Sequence, residues 1–113
     1  VHFMAEPIAI LAAPDQAVYI TNPKAGCTME MLAKEHMVLP AFDYLGERFG
    51  DDLLGIAYMN TSGRLKALAG RTGGACCTSS NAEKIVRWAR KAGKRIFFLP
   101  DRHLVELQPS AIF

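Results

Sequence analysis

No apolar run in this chain approaches the ~18 residues a helix needs to cross a bilayer. Its start carries no basic stretch followed by an apolar segment and a cleavage site, so no secretory signal is read there. The chain opens on Val1 rather than Met, directly on a hydrophobic segment, and the expectation is that something upstream is missing. Cysteine is scarce and odd in number: Cys27, Cys76 and Cys77. Without a signal, that argues against a disulfide framework and for a reducing compartment, so the expected location is the cytoplasm. No C-x-x-C is present to suggest a local zinc or redox motif. Also missing are G-x-G-x-x-G, a P-loop and G-x-S-x-G. His2, His36 and His103 make no H-x-x-x-H pattern, and each is read as structural. A net charge of +2 is too small to argue for nucleic acid. The densest basic stretch, Lys84–Lys94, reads as the solvated face of a helix. No internal repeat or low-complexity segment is seen.

What is present suits a folded domain. Half of the 113 residues are hydrophobic and 21% are charged, a balance that can bury a core and is unlike that of a disordered chain. Short β-like runs alternate with helical patterns. A strand is expected at or just before Val1–Phe3, then a short helix over Met4–Leu11. Ala17–Ile20 reads as a strand, because Val, Tyr and Ile favour a pleated surface. Thr21–Cys27 is a loop marked by Asn22-Pro23 and Gly26. Helices are expected over Thr28–His36 and Pro40–Phe49, the second stopped by Gly50. Leu53–Asn60 is the clearest buried strand, followed by a helix over Ser62–Ala69 and a loop over Arg71–Gly74. Ala75–Thr78 is a short strand. Asn81–Ala92 is the best-patterned helix, with Ile85, Ala89 and Ala92 on one face and Gly93 placed to end it. Arg95–Leu99 is a strand, and Pro100-Asp101 opens a weaker helical turn. The alternation implies an α/β fold of layered βα units with a mainly parallel sheet. Ligands of such sheets bind outside the carboxyl ends of the strands.

Those ends carry the candidate sites. In Thr78-Ser79-Ser80-Asn81 followed by Glu83, Ser80 and Glu83 have capping-box spacing. The segment either caps the helix and no more, or offers hydroxyls and free N–H groups to a carboxylate or phosphate. Tyr58-Met59-Asn60-Thr61-Ser62 ends the preceding strand, where alternation puts Tyr58 and Asn60 on one face. A phenol and an amide there could bind one anion, or be a buried Tyr and a turn Asn. Cys27 follows Gly26 and stands just before a helix, which favours the thiolate form that binds metal. A lone cysteine is more often a small buried hydrophobe. Cys76 and Cys77 are adjacent on a strand, point to opposite faces, and read as core or near-core residues.

Several segments together resemble the quinolinate synthase family. Val1-His2-Phe3-Met4-Ala5-Glu6 matches its V-H-F-M-A-E stretch, and Ala25-Gly26-Cys27 its first cluster-cysteine loop. Tyr58-Met59-Asn60-Thr61 matches its Y-x-N-[ST] motif, and Thr78-Ser79-Ser80-Asn81-Ala82 its T-S-[SA]-N-A helix start. Phe98-Leu99-Pro100-Asp101 matches its F-x-P-D strand end. Order and approximate spacing hold to about Leu104.

The resemblance implies a share in a three-domain α/β enzyme that condenses iminosuccinate with dihydroxyacetone phosphate to quinolinate, in the de novo route to NAD. It implies a [4Fe–4S] cluster held by one cysteine from each domain, with Cys27 one of these ligands and one iron left open. It gives Tyr58, Asn60 and Ser79 to substrate binding, with Thr78 and Ser80 in support. An aspartate oxidase or aspartate dehydrogenase would supply the iminosuccinate. On this reading residues 1–27 end a first α/β domain, 28–104 form most of a second, and 105–113 are an unmatched tail. The family's later cluster cysteines and its histidine–glutamate substrate motif have no counterpart here, and Cys76 and Cys77 lie in the wrong segment to replace them. The chain alone is therefore expected to be inactive. The alternative is a non-catalytic α/β module that binds a small dicarboxylate or phosphate.

Overall fold

A computed structural model describes residues 1–103. The sheet is three-stranded and wholly parallel, in the order β2-β1-β3. Its strands are β1 (Leu53–Tyr58), β2 (Ala75–Cys77) and β3 (Arg95–Leu99). The helices are α1 (His2–Leu11), α2 (Thr28–Met31), α3 (Glu35–Phe49), α4 (Gly63–Arg71) and α5 (Ala82–Lys91). The expected layered α/β fold is what the chain forms.

β1 is the middle strand and is buried on both faces, as its unbroken apolar run Leu53-Leu54-Gly55-Ile56-Ala57 requires. One face of the sheet packs under α5: Leu54, Ile56 and Cys77 join Ala82, Val86 and Ala89, with Tyr58, Ile85, Ile96 and Phe98 against them. A second core unites Leu65 and Leu68 of α4 with Ala33, Val38 and Leu99, and with Leu39, Phe42 and Phe97. α4 lies so close to the sheet that a Cβ on Gly55 would come within 2.8 Å of the Ala69 Cα. Parallel neighbours need crossover helices, and α4 and α5 are those crossovers.

α1 joins this unit through α4. Phe3 is buried, Lys66 Nζ donates to the Phe3 carbonyl at 2.7 Å, and the Gly63 N–H donates to Glu6 Oε2 at 2.7 Å. Burial lowers the Lys66 ammonium pKa, and the neighbouring Cys76, Glu6 and Glu30 partly restore it.

Several local expectations need correction. Val1–Phe3 is not a strand, because the helix begins at His2. Ala17–Ile20 forms no strand and pairs with none among the described residues, and a strand without a ladder partner is no strand. The helix expected over Thr28–His36 ends at Met31, and a new one starts at Glu35 and takes Pro40 into its interior. β1 stops at Tyr58, not Asn60. The Ser80–Glu83 capping box does not form. Asn81 occupies the N-cap position, its Oδ1 accepts from the Thr78 N–H at 2.7 Å, and Ser80 Oγ pairs with Thr78 Oγ1 at 2.9 Å. Glu83 turns along the helix to Arg87 instead. Cys77 is fully buried, as a core residue, but Cys76 is exposed on the other side of its short edge strand. The tail 105–113, and the continuation of the turn begun at Pro100-Asp101, lie outside the described residues.

The tight fit of the sheet under α4 gives a direct test. A Cβ on Gly74 would meet the Gly55 carbonyl oxygen at 1.7 Å, whereas one on Gly70, within α4, meets nothing within 4 Å. Gly74→Ala is expected to lose on the order of 3 kcal/mol through overpacking against backbone. Gly70→Ala should gain roughly 0.5–1 kcal/mol from helix propensity. Urea unfolding midpoints of the two variants check both signs.

Candidate functional site at the carboxyl end of the central strand

Parallel pairing brings the ends of β1 and β2 side by side: Tyr58 is in register with Cys77, and the Met59 N–H donates to the Cys77 carbonyl at 2.8 Å. The loop after β1 turns at once. Thr61, fully buried, donates its hydroxyl to the Tyr58 carbonyl at 2.8 Å, so the buried polar group is satisfied and the turn is closed. Ser62 then caps α4, its Oγ accepting from the Leu65 N–H at 3.4 Å.

Between these anchors the Asn60 side chain is turned toward Cys27. Its Nδ2 stands 3.4 Å from the Cys27 Sγ and 3.9 Å from the Met29 Sδ. The loop over Thr21–Cys27 is held by its own turn, where the Lys24 N–H donates to Asn22 Oδ1 at 2.9 Å. Cys27 is the extended residue immediately before α2, as expected. The Met29 backbone N–H, the Asn60 amide and the Glu30 backbone N–H hold its thiol below the ordinary cysteine range. Partial burial and the Glu30 carboxylate work against them. Cys76 is shifted the other way by burial, with nearby Lys66 opposing, and burial pushes Cys77 up to about 12. Cys27 is thus the thiol most readily ionised.

Of the sequence-derived candidates, the structure joins Asn60 to Cys27 directly. Tyr58 ends β1, half-buried against the α5-side core. Thr78, Ser79 and Ser80 follow the end of β2, where Ser79 and Ser80 are exposed and Thr78 is partly buried. Among the described residues no hydrogen bond links Tyr58, Asn60 and Ser79 to one another. What they share is the carboxyl edge of adjacent strands. Two residues that sequence reasoning did not single out also reach this place. Glu6 binds the Gly63 N–H, and Glu35 accepts from Ser62 Oγ at 2.9 Å and from Arg64 at 3.2 Å. No local pattern announces them, since each acts on a loop remote in sequence.

A family model described as quinolinate synthetase A protein matches residues 1–110. The chain belongs to that family. Quinolinate synthase of Geobacillus thermodenitrificans is 47% identical over 104 residues, covering 92% of this chain and 28% of the relative. That of Herpetosiphon aurantiacus is 47% identical over 107 residues with the same coverage, and that of Listeria monocytogenes 44% over 104. The chain therefore spans 28% of the length of these curated relatives. No solved structure matches it. No helix among the described residues is long and apolar enough to cross a membrane. Nor do those residues contain a group of three or more His, Cys, Asp or Glu that could hold a metal ion.

The thiol assignments predict an order of alkylation. Iodoacetamide should modify Cys27 first and buried Cys77 last, read by peptide mass spectrometry. Because the Asn60 amide favours the thiolate, Asn60→Ala should raise the Cys27 pKa and move its alkylation profile to higher pH. An unmoved profile would show that the 3.4 Å contact has no hold on the sulfur.

Proposed function

We propose that this chain is the part of a quinolinate synthase that supplies one cluster thiolate and one wall of the dicarboxylate pocket. Family membership supports the enzyme, and the contact of Asn60 with Cys27 supports the site, because it puts a substrate-motif residue beside the thiol of the cluster loop. The reaction is the condensation of iminosuccinate with dihydroxyacetone phosphate to quinolinate, with loss of phosphate and water.

Cys27 fits a cluster ligand in chemistry: it is partly exposed, and its thiol is biased toward the thiolate that iron requires. It would hold one iron of a [4Fe–4S] cluster, and ligands elsewhere in the full family length would hold the others. When bound, the cluster supplies a Lewis-acidic iron that polarises a substrate oxygen or nitrogen.

The remaining work falls to polar side chains. An amide has two N–H donors and an acceptor oxygen, so Asn60 can keep one donor on the Cys27 sulfur and turn the other from the weak Met29 Sδ acceptor, 3.9 Å away, to a substrate carboxylate. The Tyr58 hydroxyl and the exposed Ser79 hydroxyl, with Thr78 and Ser80 beside it, add neutral donors from the two strand ends. Neutral donors stabilise a carboxylate without supplying a competing base. Residues 1–27 belong, on this reading, to a first domain and 28–104 to a second. Its upstream partner is an enzyme that makes iminosuccinate from aspartate, and its setting is the cytoplasm.

The test is a chimera. Residues 1–104 replace the matching segment of the Geobacillus thermodenitrificans enzyme, and quinolinate is quantified after anaerobic cluster reconstitution. The chimera should form quinolinate. Cys27→Ser should abolish both the cluster absorbance and product, and Ser79→Ala should lower kcat/KM by roughly 10–100-fold, the worth of a hydrogen bond to a charged group. A Cys27→Ser chimera that keeps its cluster and its rate would refute the assignment.

A further inference from the structure

We propose that Glu6 and Glu35 are positioning residues that hold the loop after β1 from both sides and so aim the Asn60 amide at the Cys27 sulfur. The proposal deepens the site reading above and rests on Asn60 and Cys27 belonging to one site.

The geometry is that of a clamp. Asn60 is followed by Thr61, Ser62 and Gly63, and each of these is tied down. Thr61 bonds back to the Tyr58 carbonyl at 2.8 Å. Ser62 donates to Glu35 Oε1 at 2.9 Å while its oxygen caps α4. Gly63 donates its N–H to Glu6 Oε2 at 2.7 Å. Glu6 comes from α1, ahead of the cysteine loop in the chain, and Glu35 from the start of α3, behind it. The two carboxylates therefore tie the Asn60 loop to the segments that flank Cys27 on either side.

Residue choice agrees with this role. Glu6 is only partly exposed and has His2 Nε2 3.5 Å from its other oxygen, so its position is fixed at both ends. Gly63 leaves room for it: a Cβ there would lie 2.9 Å from Glu6 Oε2. Glu35 is held in turn by Arg64, whose NH1 donates to its Oε2 at 3.2 Å. No hydrogen bond joins either carboxylate to Cys27 or Asn60, so their influence passes through the loop.

The experiment follows the Asn60 side-chain amide of the 15N-labelled chain by NMR, a readout that needs no catalysis. Glu6→Ala and Glu35→Ala should each move that resonance pair toward the value of an exposed asparagine amide. Glu6→Ala should also raise the Gly63 amide exchange rate about tenfold or more. Glu6→Gln keeps an acceptor oxygen and should restore most of both signals. Gly63→Ala crowds the Glu6 carboxylate without deleting it and should shift Asn60 in the same sense, which keeps the test decisive should an alanine variant not fold. Ala89→Gly, on the buried face of α5, is the stability control and should leave the Asn60 signal in place. An Asn60 resonance unmoved in the Glu6, Glu35 and Gly63 variants overturns the clamp, as does an equal shift in Ala89→Gly. A clamp upheld here together with an Asn60→Ala chimera of full activity would sink the functional reading and leave the clamp standing.

Discussion

β1 carries ladder partners on both edges and is buried on both faces, with no freedom to shift along its axis. A slip of one residue would exchange the α5-facing set Leu54 and Ile56 for the alternate set around Gly55, where the backbone of α4 leaves no room for a side chain. Register is therefore fixed by packing, and the point where the strand ends is fixed with it. Tyr58 and Asn60 are displayed from that end, and Cys27 is brought up to it. The fully buried Thr61 hydroxyl, the Ser62 cap and the two flanking carboxylates carry that rigidity through the turn.

The electrostatics of the three cysteines follow from position. Cys77 lies in the α5-side core, where burial makes ionisation costly. Cys76, its neighbour on the strand, is exposed but still meets desolvation, partly offset by Lys66. Cys27 alone meets donors at its sulfur. An ionisable, approachable thiol beside a side-chain amide is the pairing on which the proposed function rests.

Much of the fold was legible from pattern. The strands β1, β2 and β3 show as short apolar or β-favouring runs and the helices α4 and α5 as helical patterns, and the elements lie close to where those signals put them. The first third of the chain was less legible. The β-favouring residues Val18, Tyr19 and Ile20 join no ladder, because strand formation depends on a partner and not on propensity alone. The Ser80–Glu83 spacing was misleading because Asn81 and Thr78 satisfy each other locally, leaving Glu83 free to meet Arg87. At the site, the Cys27 loop and the Asn60 turn were each visible, but their contact spans sequence far apart and only the fold joins them. Glu6 and Glu35 carry no local signal of their role, since nothing in their sequence neighbours announces a loop arriving from elsewhere.

The central claim is that Cys27 lies at the carboxyl end of the sheet, beside Asn60. A nitroxide spin label on Cys27, in a chain carrying Cys76→Ser and Cys77→Ala, reads this directly through paramagnetic broadening. The amides of Met59, Asn60 and Thr61 should be bleached, while those of Asp52 and Leu53, across the ~20 Å length of β1, stay far sharper. Broadening that is strongest at Asp52 and Leu53, or absent from Asn60, would contradict the account.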